Sequence, residues 1–237
     1  MISDLAKMVR EADRDRYLAT LFAPDDKQPD LFALYAFDAE IARIPKLVSE
    51  PHIGEIRLQW WLDTLDAIEK GHDPDHPVAL AFAAVIRKHA LPIEHLENLV
   101  EARRNDLYAD QFPSVFALEN YVAETEAAVM QFAAIILDRP AAASANVLMG
   151  SAGTAFGLAR LMARPEINAR FIPVGETLES TRALALKRLI EARQEALPEV
   201  LLSAILPAAL TELYLKGEPS TLRRQWCLWR ASRQRVM

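Results

Sequence analysis

One cysteine, Cys227, stands in 237 residues, so no internal disulfide can form, and a lone thiol among apolar and basic neighbours fits a reducing compartment. Glycine is almost as scarce, at 7 residues, and β-branched runs are few, a composition that turns away from sheets and their tight hairpins. Long hydrophobic runs are missing as well. Uncharged apolar stretches such as Ala127 to Leu137 around Gln131 and Val200 to Leu210 fall short of the ~20 residues a bilayer span requires. The first residues mix charges of both signs and lack the apolar run and small-residue cleavage site of a signal peptide, so a cytoplasmic protein is expected. There is no basic excess: the net charge of −6 works against nucleic-acid binding as the main role. No phosphate-cradling glycine loop or nucleophile elbow occurs, and the histidines (52, 72, 76, 89 and 95) share no metal-ligand spacing with a carboxylate. Neither a metal nor a cofactor is expected on these grounds.

What remains is a chain half apolar (51%) and a quarter charged (25%), the balance of a globular protein. Apolar residues recur at helical spacing, as in Leu34, Phe37, Ile41, Ile44 and Val48, or Leu96, Leu99, Val100 and Leu107. Pro92, Pro113, Pro140 and Pro198 sit where a first helical turn would begin, and Asp30, Ser49 and Ser180 read as N-caps. The pattern predicts nine or ten helices joined by short polar links such as Gly71 to Asp75 and Lys216 to Ser220. With no internal repeat and no flexible linker, residues 1–237 read as one all-α domain.

Four stretches, in order, resemble the squalene/phytoene synthase family of head-to-head prenyl transferases. Tyr17 to Pro24 followed by Leu31 to Phe37 looks like the opening pair of helices, and Arg57-Leu58-Gln59-Trp60-Trp61 resembles the family's Arg-Leu-x-x-Trp segment. Glu101 to Leu107, with Asp106, resembles the mid-chain helix that precedes Tyr121. Gly150 to Arg160 and then Arg170-Phe171-Ile172-Pro173 resemble the segment ending in Leu-Arg-Asp and the downstream Arg-x-Tyr-Leu-Pro. The resemblance implies the isoprenoid synthase fold, a compact all-α bundle around a central cavity, with the segments around Ala42 and Leu161 facing each other.

Prenyl-diphosphate chemistry needs Mg²⁺ to stabilise the leaving group, and the family holds the metals on two Asp-x-x-x-Asp motifs, whose i and i+4 carboxylates share one helix face. Counting from Tyr35-Ala36-Phe37, the first motif falls on Ala42 and Lys46; counting from Gly150 through Arg160, the second falls on Leu161 and Pro165. None of the four can ligate a metal. Pro45 and Pro165 are further expected to kink or end their helices, since an interior proline costs on the order of 3 kcal/mol. Asp106 and Asp110, the one other Asp-x-x-x-Asp pair unbroken by proline, read as a solvated helix face.

Residual polar and aromatic positions of the family pattern, Tyr35, Arg57, Trp60, Arg160 and Arg170, are the candidate substrate-binding residues, each open to a structural reading as core or ion-pair partner. The same alternative holds for Phe37 and Trp61. With Glu40-Ile41-Ala42 and Val48-Ser49-Glu50 after Tyr-Ala-Phe, the sequence resembles the family's non-catalytic branch related to the mitochondrial assembly factor for respiratory complex I. The resemblance implies a pseudoenzyme with a protein partner, such as respiratory complex subunits. The alternatives are a divergent prenyl transferase and a carrier or sensor of an isoprenoid or quinone lipid. At the C-terminus Arg223, Arg224, Arg230, Arg233 and Arg235 interleave with Trp226 and Trp229. Either the last helix packs both tryptophans inward, or it is a surface for an acidic partner or for peripheral, lipid contact at the inner membrane.

Overall fold

The computed structural model describes residues 2–164 and 169–234, the side chains of 2 and 3 excepted; Pro165 and Arg235 lie outside them. Among the described residues every regular element is a helix: α1 (Ile2–Ala12), α2 (Arg14–Thr20), α3 (Gln28–Leu47), α4 (Pro51–Glu69), α5 (Pro77–His89), α6 (Ile93–Ala102), α7 (Val115–Val122), α8 (Ala128–Leu137), α9 (Arg139–Ser144), α10 (Asn146–Met162), α11 (Leu178–Arg193), α12 (Leu202–Ile205), α13 (Thr211–Tyr214) and α14 (Thr221–Gln234). The count exceeds the nine or ten expected because helical runs are interrupted by tighter or wider turns, as by the π turn Ala123–Ala127 between α7 and α8 and the 3₁₀ turn Leu206–Leu210 between α12 and α13. No described helix is long and apolar enough to cross a membrane. The chain divides into two compact units, residues 1–17 with 24–109, and residues 18–23 with 110–237.

The first unit is organised by α3. Leu31 to Phe37 are buried in unbroken succession, the signature of a helix covered on all sides, and α3 packs against α1, α4 and α5. Phe37 stacks on Phe82 at 4.5 Å and meets the edge of Trp61 at 5.1 Å, so these two candidate aromatics are core. Pro45 does not stop α3 at once. The helix continues to Leu47, because a proline in the last turn removes one N–H while the preceding turn stays bonded. The α3 cap is displaced from the expected Asp30 to Lys27, since Pro29 already supplies a first-turn residue and Asp30 instead meets Lys88 and His89 at 2.7 and 2.8 Å. The cap of α4 is Glu50 rather than Ser49, again beside a first-turn proline, Pro51.

The second unit is built on α10, which lies against α11, α8, α7 and a π-helical turn at Ala123–Ala127 that joins α7 to α8. Gly153 and Gly157 face that turn on one side of α10. A Cβ at Gly153 would stand 2.4 Å from the Ala127 Cα, and one at Gly157 2.5 Å from a Val122 methyl. Only glycine lets the two backbones approach so closely. α11 starts in a capping box in which Thr177 is the cap and Ser180, expected as the cap, is its reciprocal partner three residues on. α14 rests on the Leu206–Leu210 turn through Leu228 and Ala231, and the Cys227 thiol donates to the Ala209 carbonyl at 3.3 Å. Burial raises that thiol's pKa, which suits a packing residue rather than a nucleophile.

Candidate functional site

The α3 face that carries Ala42 begins with Tyr35 and Asp38, at i and i+3 of an i, i+3, i+7 stripe. Both are buried. Asp38 accepts a hydrogen bond from Arg103 Nη2 at 2.9 Å on one oxygen and is gripped by Arg16 Nη1 on the other. Arg16 reaches Asp13 at 3.8 Å, Arg103 reaches Asp106 at 3.5 Å, and the Arg16 guanidinium lies 5.5 Å from the Tyr35 ring centre. The result is a chain of alternating charge, Asp13, Arg16, Asp38, Arg103, Asp106, buried at its three central members and half-buried at its ends. Burial by itself pushes the Asp38 carboxyl up, but the guanidiniums of Arg103 and Arg16 outweigh it and hold the carboxyl below its usual range. Burial raises the Tyr35 hydroxyl above the ordinary phenol range, so it stays protonated.

Sequence reasoning missed this network. Its local halves, Asp13 with Arg16 and Arg103 with Asp106, are i, i+3 pairs that any reading could mark; the bonds that join them cross 22 and 65 residues and leave no periodic trace. The network also revises the reading of Asp106 and Asp110 as one solvated helix face. The helix tightens into the 3₁₀ turn Arg103–Leu107, Asp106 turns to Arg103, and Asp110 follows in non-helical chain.

Arg57 and Trp60 come together elsewhere in the first unit. A shallow groove of about 270 Å³ between α3 and α4 is lined by Arg43, Ile44, Arg57, Trp60, Trp61 and His76. That is below the ~300–1,000 Å³ usual for a drug-sized ligand. Trp60 is 44% exposed, and with Ile53 and Ile56 it forms an outward apolar stripe around Arg57, which makes no ion pair among the described residues. Tyr35 sits on a different face of α3 from Ile44 and Arg43, so the structure does not unite it with Arg57 and Trp60.

The remaining two candidates belong to the second unit and have separate surroundings. Arg160 on α10 reaches Glu126 of the π turn at 3.4 Å and lies 5.2 Å from the Phe156 ring centre. Arg170 covers the Phe171 ring at 4.1 Å, beside an aromatic cluster in which Phe171, Phe112 and Tyr121 pack 5.3–5.7 Å apart. Leu161, at the counted position of the second motif, is half-buried. Among the described residues no group of three or more His, Cys, Asp or Glu side chains could hold a metal ion.

The sequence model of the family described as squalene/phytoene synthase matches residues 9–165. Among curated proteins, the chain is 32% identical over 131 residues to NADH dehydrogenase (ubiquinone) complex I, assembly factor 6 of Bos taurus, a match covering 55% of this chain and 39% of the relative. The Homo sapiens protein of the same name is 30% identical over 131 residues with the same coverage. The match thus spans about two fifths of the length of these relatives. Among solved structures, a dehydrosqualene synthase in complex with ligand superposes with a TM-score of 0.77 at 16% identity, over 98% of this chain and 95% of that one. The squalene synthase HpnC from Alicyclobacillus acidocaldarius superposes with a TM-score of 0.68 at 20% identity, over 98% and 93%. At these identities the likeness establishes the fold, the all-α isoprenoid synthase fold.

Proposed function

We propose that this chain, which belongs to the squalene/phytoene synthase family, lacks prenyl-transferase chemistry and works by binding other proteins in the assembly of respiratory complex I. The observation that carries this reading is what has become of the carboxylate face of α3. Ala42 and Lys46 stand at the counted positions of the first aspartate motif, and the buried carboxylate that remains on that face, Asp38, is held between two guanidiniums. A carboxylate so paired has its charge committed to two guanidiniums, and drawing it toward Mg²⁺ would break two buried ion pairs at once. Leu161 at the counted second-motif position has no donor atom, and Pro165 lies outside the described residues. The curated relatives bear the name of a complex I assembly factor, which supports this direction; our reading takes respiratory complex subunits as the partners and a peripheral place at the inner membrane as the site of action.

Two measurements test this. The purified chain, given farnesyl or geranylgeranyl diphosphate with Mg²⁺, is expected to release no pyrophosphate and form no squalene or phytoene above an enzyme-free control; product formation would return the chain to the prenyl transferases. Deleting its gene in the native host is expected to lower the amount of assembled complex I on native gels, with restoration by the wild-type chain. An unchanged amount of complex I would overturn the assembly reading, and an isoprenoid or quinone lipid co-purifying at stoichiometric level would favour a carrier.

A further inference from the structure

Helix α14 has two apolar faces, and the body of the protein uses one. The inner face carries Cys227, Leu228 and Ala231, with Arg224 turned in to meet Glu218 and lie 5.5 Å from the Tyr214 ring centre. At i, i+4 and i+7 on the opposite side stand Leu222, Trp226 and Trp229, exposed by 78%, 63% and 49%. The expectation that both tryptophans pack inward is therefore corrected. Leu228 and Ala231 take the core positions, and the helical period carries Trp226 and Trp229 outward. The two indoles stack on each other at 5.3 Å, and the Arg233 guanidinium lies 6.0 Å from the Trp229 ring centre. Arg223 and Arg230 flank the stripe, none of these three arginines forms an ion pair among the described residues, and the helix contains no Asp or Glu.

We propose that the outer face of α14 docks on an anionic lipid surface, with Leu222, Trp226 and Trp229 entering the headgroup boundary and Arg223, Arg230 and Arg233 binding phosphate. This deepens the peripheral-membrane part of the reading above by naming the element and the lipid chemistry, and it stands or falls separately from the assembly role. Two features favour a lipid surface over an acidic protein. The stripe is one helix face with three large apolar side chains, far short of the ~800 Å² per partner that a stable protein interface buries. An interfacial helix needs no more than a shallow apolar edge, Trp at the water boundary and basic side chains reaching the headgroups. Charge supplies the selectivity: a cationic helix on a chain of net charge −6 approaches an anionic membrane with this face first.

The experiment uses the full chain with vesicles of phosphatidylcholine alone and of phosphatidylcholine mixed with phosphatidylglycerol. Wild type is expected to co-sediment with the mixed vesicles at low ionic strength, to be released by salt, and to ignore the neutral ones. R223Q/R230Q/R233Q should weaken partitioning by about two orders of magnitude, from roughly a fivefold loss per arginine at the surface. W226A/W229A should abolish binding, and both variants should keep the wild-type helix content and thermal midpoint, since the replaced groups face solvent. Should a variant unfold, the wild-type face is read directly in a Trp60→Phe background: brominated phosphatidylglycerol quenches the emission if the α14 indoles enter the boundary. The proposal is overturned by failure to bind mixed vesicles at low salt, by binding that survives W226A/W229A, by absence of quenching, or by salt-sensitive capture of an acidic protein in place of vesicles. A vesicle-binding failure with a normal complex I phenotype removes this proposal alone; intact vesicle binding with no effect on complex I removes the assembly reading alone.

Discussion

Asp38→Ala is expected to destabilise the protein by about 3–5 kcal/mol, the range for breaking a buried ion pair by deleting one partner. The side chains of Arg16 and Arg103 are 5% and 8% exposed, and both lose their shared counter-ion at once. Asp13 and Asp106 stand further off, at 3.8 and 3.5 Å, and cannot replace it without moving. Urea denaturation followed by circular dichroism measures the loss. A change under about 1 kcal/mol would mean that the guanidiniums re-pair or reach water, and that the network does not lock the α3 face. The same network sets a pH dependence. The folded carboxyl is held below its ordinary range, so the contribution of Asp38 is fully present above the unfolded value of about 3.9 and is lost as the pH falls through the lower, folded value. The gap in stability between wild type and D38A should therefore be constant near neutrality and shrink in acid. Replacing Arg16, Asp38 and Arg103 together by apolar residues of similar size should cost less than D38A alone, because no buried guanidinium is left without its central counter-ion and the carboxylates that lose a partner, Asp13 and Asp106, are only partly buried.

Gly153→Ala is expected to destabilise by about 1–3 kcal/mol, although alanine in a helix interior ordinarily gains about 1 kcal/mol over glycine. Crowding decides the sign. The new Cβ would lie 2.4 Å from the Ala127 Cα, 2.9 Å from its Cβ and 3.2 Å from its backbone nitrogen, so α10 and the π turn must separate. Gly150, one turn earlier on α10, is the internal control: its added Cβ would meet nothing nearer than Gln131 Nε2 at 3.6 Å. Gly150→Ala should then stabilise by roughly 0.5–1 kcal/mol, where propensity acts alone. If both substitutions shift the denaturation midpoint in the same direction, the close approach of α10 to the π turn is not what the second unit depends on.

The helical class, the core stripes and the family were legible along the chain because each is a local signal. Leu34, Phe37, Ile41 and Ile44 mark a buried face by their 3.6-residue period alone, and they are buried in α3. The runs from Tyr17 to Arg160 name the family by residue order, which needs no coordinates, and they lie within the stretch that the family model matches. Helix starts were legible only to within a few residues. Proline in the first turn marks the region, but which backbone N–H groups lack partners, and hence whether Lys27 or Asp30, Glu50 or Ser49 sits at the cap, depends on where neighbouring chain draws a side chain away.

Which charges are paired and which side of a helix is covered belonged to the tertiary structure. Arg16, Asp38 and Arg103 read along the chain as three unrelated ionisable residues; they become one buried network because α3 and the α6 end bring them within hydrogen-bond reach, and Coulomb attraction depends on distance in space. The tryptophans of α14 make the same point. Period assigns Trp226 and Trp229 to one face and Leu228 and Ala231 to another, yet both faces are apolar, and composition does not say which one the body covers. The Leu206–Leu210 turn accepts the smaller residues, and the indoles are left to the outside, where the hydrophobic cost of exposing them is the physical reason to look for a surface that receives them.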